Sequence, residues 1–171
     1  IMKRNRKKFI ILSVLAILLL NTKNLNAYTF WQTGVTNPRA VTVYNVFNTS
    51  GYLNSLNYYK KWTNTGIMFA TFNNGLSSDV LVNISDIDNG TYGVTTYKSI
   101  GKFTIVYYKA FKNASSIVQQ ETVVHEFGHA LGLGHTQTSN ESKSVMRALG
   151  FNKKAYPLSD DINGIKAKYN F

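Results

Sequence analysis

Apolar and polar positions divide the chain into stretches that follow different rules. The first is a twelve-residue apolar run, Phe9 to Leu20, broken only by Ser13. Lys3, Arg4, Arg6, Lys7 and Lys8 precede it, and a polar stretch from Asn21 to Asn26 leads to the small Ala27. A basic start, a short apolar centre and a small residue at the end make up an export signal. Residues 1–27 are therefore predicted to be a signal peptide cut after Ala27, although Leu25 is bulkier than the residue usual two positions before the cut. At about 1.5 Å per residue the run covers roughly 18 Å, short of the roughly 30 Å core of a bilayer, so an uncleaved anchor is the weaker reading.

From residue 28 the pattern becomes that of a folded domain. Residues 28–39 form an extended N-terminal segment closing on Asn37-Pro38. From Ala40 to Phe47, Val41, Val43 and Val46 mark a strand. Asn48-Thr49-Ser50 offers capping side chains. Tyr52, Leu53, Leu56, Tyr59 and Trp62 then recur at helical spacing and predict a helix over residues 50–62. Gly66 to Phe72 reads as a second strand, ended by an Asn73-Asn74-Gly75 turn. Val80, Val82 and Ile84 alternate with Leu81, Asn83 and Ser85 in a third, before a turn at Asp88-Asn89-Gly90. Tyr92 to Tyr97 predicts a short edge strand, and Lys102 to Tyr108 a fifth strand.

Beyond residue 112 the period changes again. Asn113 to Ser116 opens a helix in which Ser116 and Gln119 fit a capping box. Val123, Phe127, Ala130 and Leu131 supply its apolar face. Gly132 ends it, because glycine takes the left-handed conformation at little cost. Residues 136–157 are polar and irregular, longer than an idle connection in a compact domain. Ser159 is predicted to cap a last helix, with Asp160 and Asp161 in the first turn, where the helix dipole favours acids.

Charge looks different once the leader is set aside. Six of the 19 basic residues and none of the eight acidic ones lie in residues 1–27, so the rest carries a net +5 instead of +11. That bias suits anionic surfaces such as a cell wall. Without a dense basic run interleaved with aromatics it argues against a nucleic-acid partner. The chain has no cysteine and hence no disulfide. A domain this long buries enough apolar surface to fold without one. Five Asn-x-Ser/Thr sequons, at Asn48, Asn83, Asn89, Asn113 and Asn140, fit chance in a chain rich in those residues.

The chemistry concentrates in eleven residues, His125-Glu126-Phe127-Gly128-His129-Ala130-Leu131-Gly132-Leu133-Gly134-His135, which hold all three histidines of the chain. Residues i and i+4 share a helix face, so His125 and His129 point the same way. Glu126 is then placed to reach a water on a metal held by them without ligating it. The break at Gly132 lets the chain swing back so that His135 supplies a third nitrogen. Three neutral imidazoles leave a fourth tetrahedral position for water, the arrangement of one catalytic zinc ion. At average residue frequencies this pattern arises by chance on the order of once per hundred thousand chains of this length. Glu121 lies one turn before His125 and reads as a solvated surface acid in preference to a support for the site.

The HExxHxxGxxH pattern at 125–135 resembles that of the metzincin zinc peptidases. Its wording, together with Leu158-Ser159-Asp160-Asp161-Ile162-Asn163-Gly164-Ile165 and Tyr169, is similar to a matrixin. The resemblance is strong after residue 115 and weak before it. It implies an α+β, zincin/metzincin-like catalytic domain over residues 40–171, with a mixed twisted sheet of about five strands and three helices. The active-site helix would be followed by a Met-turn and a C-terminal helix. Met146, in Ser144-Val145-Met146, would be the Met-turn residue, a hydrophobic floor and not a ligand. Met68 is the other methionine after Ala27 and falls in a predicted strand. Glu126 would be the general base, and the edge strand near Gly93 to Tyr97 would pair with an extended substrate. The loop from Arg147 to Pro157 would line the pocket for the residue after the cleaved bond, with Leu149, Phe151, Tyr156 and Pro157 giving it an apolar character.

The chain also departs from the matrixin pattern. Arg147-Ala148 follow Met146 where matrixins have Tyr-Pro, and Tyr156-Pro157 is a displaced counterpart. The stretch before the acidic pair is one residue shorter than usual. No histidine is left for a second zinc, and Asp86 with Asp88 is the one candidate for Ca2+. With no cysteine and about a dozen residues between Ala27 and the first strand, no latency propeptide is expected. An astacin-like or snapalysin-like relative is the alternative, although astacins have a tyrosine where Ala148 stands. The implied activity is that of a secreted, extracellular zinc endopeptidase acting as a single copy on protein or peptide substrates. No membrane contact is expected beyond the signal or an uncleaved anchor. Two other readings stay open: a non-catalytic zinc-binding module of this fold, and a zinc amidase acting on cell-wall peptides.

Overall fold

The computed structural model describes residues 28–31, 33–70 and 75–171. The predicted signal peptide lies outside them, as do the end of the predicted second strand and most of its turn. Five strands make one mixed sheet in the order β2-β1-β3-β5-β4. They are β1 (Val41–Phe47), β2 (Phe69–Ala70), β3 (Val80–Ile84), β4 (Gly93–Ser99) and β5 (Lys102–Tyr107). The first three and β5 run parallel, and β4 returns antiparallel along β5 as an edge strand. Alternation decides which face is covered. Val80, Val82 and Ile84 of β3 and Phe103, Ile105 and Tyr107 of β5 are all buried.

That buried face packs on helix α3 (Ser116–Ala130), numbered after α1 (Leu53–Leu56) and α2 (Lys109–Lys112). Val123, Val124, Phe127 and Ala130 of α3 join the same core. The predicted helix over residues 50–62 is in fact mostly 3-10: Ser50–Tyr52, then α1, then Asn57–Thr65. Asn, Tyr and Thr are weak helix formers. What holds the segment is Trp62, wholly buried, whose Nε1 donates to the Val124 carbonyl at 2.9 Å.

Both predicted caps shift by one residue. Ser115 takes the N-cap position of α3 without a side-chain bond to the helix, and the Gln119 amide turns inward to the buried Ser55 hydroxyl and the Phe111 carbonyl. Leu158 precedes α4 (Ser159–Tyr169), and its N–H donates to Asp161 Oδ2 at 2.8 Å. Asp161 is almost fully buried and serves more than its own helix. It also accepts the Val145 N–H at 2.8 Å and the Ser144 hydroxyl. Its neighbour Asp160 accepts the Thr136 hydroxyl at 2.6 Å. The acidic pair at the start of α4 therefore anchors two separate stretches of the long irregular segment.

The extended N-terminal segment is part of the same assembly. Trp31 N–H donates to Gly132 O, Gly134 N–H to Thr29 O, and Val35 N–H to Ala130 O, at 2.8–3.1 Å. Tyr169 of α4 closes the corner by donating to Leu131 O at 3.0 Å. Replacing Asp161 with alanine leaves two backbone donors and one hydroxyl without their acceptor. Each such buried group costs about 1–3 kcal/mol. Asp161→Ala is expected to lose about 3–5 kcal/mol in urea unfolding. A loss below about 1 kcal/mol would show that solvent replaces the carboxylate freely.

Candidate metal centre and active site

Helix α3 carries His125, Glu126 and His129, and Gly132, at φ +85°, reverses the chain after it. The returning loop brings His135 to the other two histidines. One ring nitrogen of each lies within 4.8 Å of those of the others. Ring centroids are 4.8, 5.3 and 4.9 Å apart for the three pairs.

Backbone carbonyls orient two of the rings. His125 Nδ1 lies 2.9 Å from Val145 O, and His129 Nδ1 lies 2.8 Å from Leu133 O. A carbonyl only accepts, so each Nδ1 carries the proton and donates it. Each Nε2 is then a free lone pair, as in metal-ligating histidines whose second nitrogen is held by a carbonyl. Burial pushes His125 down to about 4, with a smaller downward push from His135. Burial, then the charge of His125, pushes His129 down to about 4 as well. Both are neutral at neutral pH, the form that binds metal. His135 is exposed, and its backbone is fixed instead: its carbonyl accepts the Thr29 hydroxyl at 2.5 Å. Three imidazoles with no thiolate or carboxylate are a donor set suited to zinc with one position left open. Among the described residues this is the cluster able to hold a metal. Asp86 pairs with Lys112 and Asp88 with Lys109, and both acids are exposed.

Met146 lies beneath α3, 1% exposed. A Cβ added to Gly128 would overlap its Sδ and come within 3.0 Å of Trp62 Cζ2, so only glycine lets Met146 pack that close to the ligand helix. The turn holding Met146 is tied on both sides. Met146 N–H donates to Ser144 Oγ at 2.8 Å, and Met146 O accepts from Thr136 N–H at 2.7 Å.

An open cavity of about 710 Å³ lies over the histidines, between β4 and residues 147–151. Trp31, Tyr92, Val94, Leu149 and Phe151 line it, and Glu126 stands in its wall, 6% exposed. Burial raises the Glu126 carboxyl above the usual range, against the opposing pull of His129. The Thr95 hydroxyl lies 2.7 Å from Glu126 Oε2. Leu149 and Phe151 reach the cavity, with Phe151 packed edge-on against Tyr92 at 5.0 Å. Tyr156 and Pro157 do not. Tyr156 faces Asn57 and Tyr58 on another surface, and Pro157 is buried away from the cavity. The chain turns off at Lys153, which sits at φ +60°.

Glu121 accounts for that turn and corrects the reading of it as a solvated acid. It is 2% exposed, and its two oxygens accept the N–H groups of Asn152 and Lys153 at 2.8 and 2.7 Å. Burial raises its carboxyl above the usual range despite those bonds. Sequence reading also missed Thr29, Trp31 and Thr95. The acidic character of Glu121 was visible, but its partners are backbone groups more than thirty residues away and leave no mark in composition.

The orientation of the rings gives a direct test. In the zinc-free protein, imidazole nitrogen NMR should find His125 and His129 as the Nδ1–H tautomer at pH 5.5. They should take up protons only as pH falls toward 4. Titration of both at the ordinary histidine value, about 6.5, would sink the argument that burial keeps them neutral.

The comparisons with known proteins agree with this geometry. Residues 31–170 match the family model described as Peptidase_M10, matrixin. A stretch of 48 residues is 50% identical to human matrix metalloproteinase-27, covering 26% of this chain and 9% of that protein. Among solved structures, myroilysin superposes with a TM-score of 0.59 at 17% identity, over 81% of this chain and 96% of that one. A chain of the GM1-bound ECX AB5 holotoxin superposes with a TM-score of 0.60 at 15% identity, over 84% of each chain. At such identities the structures speak for the fold alone, and they share it over most of their length. With the family model covering nearly every described residue and three imidazoles gathered over a methionine floor, this chain belongs to the matrixin family of metallopeptidases.

Proposed function

We propose that this chain is a secreted zinc endopeptidase that hydrolyses extracellular proteins or peptides with Glu126 as its general base. One observation carries the reading: three imidazoles converge beside the buried Glu126 side chain in the wall of an open cavity, next to a sheet edge. His125, His129 and His135 would hold a zinc ion, whose charge would polarise a scissile carbonyl and acidify water. The chain's own residues do the remainder. Glu126 takes the proton of the attacking water and returns it to the leaving amine. Burial raises the Glu126 carboxyl above the usual range, which makes it a better base toward water than an exposed carboxylate. As the outermost strand, β4 offers free backbone groups to an extended substrate, which would lie along it as an added strand. Leu149 and Phe151 give the far side of the cavity an apolar wall, favouring an apolar residue after the cleaved bond. Export rests on residues 1–27, whose basic, apolar and polar sequence is that of a signal peptide.

Cleavage of an unfolded protein such as casein tests the reading, with a zinc chelator as control. The zinc-loaded protein is expected to cleave internal bonds, and the chelator to stop it. Glu126→Ala should lower kcat by roughly 100-fold to 10,000-fold while one zinc stays bound. A variant that cleaves at the normal rate would remove Glu126 from the mechanism. His135→Ala should weaken zinc binding by at least about tenfold, read by competition with a chromogenic chelator. Undiminished metal content would mean that the third ligand lies elsewhere.

A further inference from the structure

Thr95 sits in the middle of β4, opposite Ile105 of β5, with its side chain turned inward toward α3. Its hydroxyl lies 2.7 Å from Glu126 Oε2 and 2.8 Å from the carbonyl oxygen of the same glutamate. Both partners are acceptors, so the hydroxyl is the donor to each and its proton is shared between them. One group therefore spans the head and the backbone of a single side chain. That bridge selects one Glu126 conformer, because rotating the carboxylate away breaks the bond to Oε2 in a site where little water replaces it.

A second β4 residue closes the other side. Gly93 lies two positions before Thr95 and so on the same face of the strand. A Cβ built on Gly93 would stand 2.9 Å from Glu126 Cγ and 3.0 Å from Tyr107 Cδ1. The strand backbone thus presses on the stem of Glu126 where Gly93 has no side chain, while Thr95 holds its tip. We infer that Thr95 is a positioning residue for Glu126. It fixes one carboxylate oxygen so that the other faces the attacking water. This inference rests on the reading of Glu126 as general base and goes beyond it by assigning a residue outside the zinc motif. Thr95 acts through Glu126 and touches no reacting atom itself.

The test compares Thr95→Val and Thr95→Ser with the unaltered full chain, all zinc-loaded. Valine keeps the shape of threonine and removes the donor, and serine restores the donor without the methyl. Steady-state cleavage of labelled casein should show kcat about 100-fold lower for Thr95→Val, the scale expected when a reacting group is misplaced by about 1 Å. KM should change less than about twofold, since substrate contacts are untouched. Thr95→Ser should recover kcat to within about threefold of the original. A second readout needs no activity. In the zinc-free protein, the carboxyl carbon NMR signal of Glu126 should move on Thr95→Val and return on Thr95→Ser. If Thr95→Val does not fold, Thr95→Ala takes its place in both measurements. Full activity without the hydroxyl, or failure of serine to restore either signal, overturns the role of Thr95 and leaves the peptidase reading standing. An unaltered protein that cleaves nothing overturns that reading and this inference with it.

Discussion

Asp161 is the constraint on which the metal centre depends. Its carboxylate is buried at the start of α4, and the local backbone and a serine satisfy it. Burial raises its carboxyl above the usual range, and the three donors work against that rise. A carboxylate in such a place is tolerated only because several donors converge on it. The converse matters more for the site. Two of those donors, Ser144 and Val145, belong to the turn that carries Met146. Asp161 holds the Ser144 hydroxyl, which accepts the Met146 N–H, and that N–H shares its peptide plane with the Val145 carbonyl that orients His125. The same turn presses Met146 against Gly128, between His125 and His129. The ring geometry on α3 is thus set by a helix that carries none of the three histidines.

Glu121 repeats the device on the opposite flank. It too is buried, and it too is held by backbone donors, here the N–H groups of Asn152 and Lys153. Those bonds hold Lys153 in the left-handed region, which costs a residue with a side chain roughly 1 kcal/mol or more. The sharp turn there ends the cavity wall at Phe151 and sends Tyr156 and Pro157 elsewhere. Two buried acids therefore divide the labour. Asp161 positions the floor beneath the histidines, and Glu121 shapes the wall beside them.

Much of this was legible in the sequence, and the limit of legibility has a physical cause. Strands β3 and β5 announced themselves because every second residue is apolar and one face is covered. The spacing of His125, Glu126, His129 and His135 was informative because a helix turns that spacing into a shared face and Gly132 into a reversal. What remained hidden depends on partners distant in the chain. Thr29 meets the loop of His135 across more than a hundred residues, and Thr95 meets Glu126 across 31. Threonine in a strand carries no signal of such a bond, since it is common there for its shape alone. The segment 50–62 misled for a related reason. Its apolar spacing was helical, but the burial of Trp62 and its bond to Val124 decide the backbone, and a 3-10 path satisfies both.

The distribution of these contacts bears on how substrate and chemistry are coupled. The histidines able to hold a metal come from α3 and the loop after it, whereas Glu126 is held from the sheet, by Gly93 and Thr95 of β4. That strand is also the outer edge of the sheet and lines the cavity. A peptide laid along β4 would restrain the strand whose inner face holds the carboxylate. Substrate alignment and the placement of Glu126 would then share one rigid element, with no need for a moving part. Orientation supplied by a strand already hydrogen-bonded to β5 along most of its length requires little rearrangement during the reaction. Such pre-set geometry is what lets a fixed dipole or carboxylate act without reorganising at the moment of reaction.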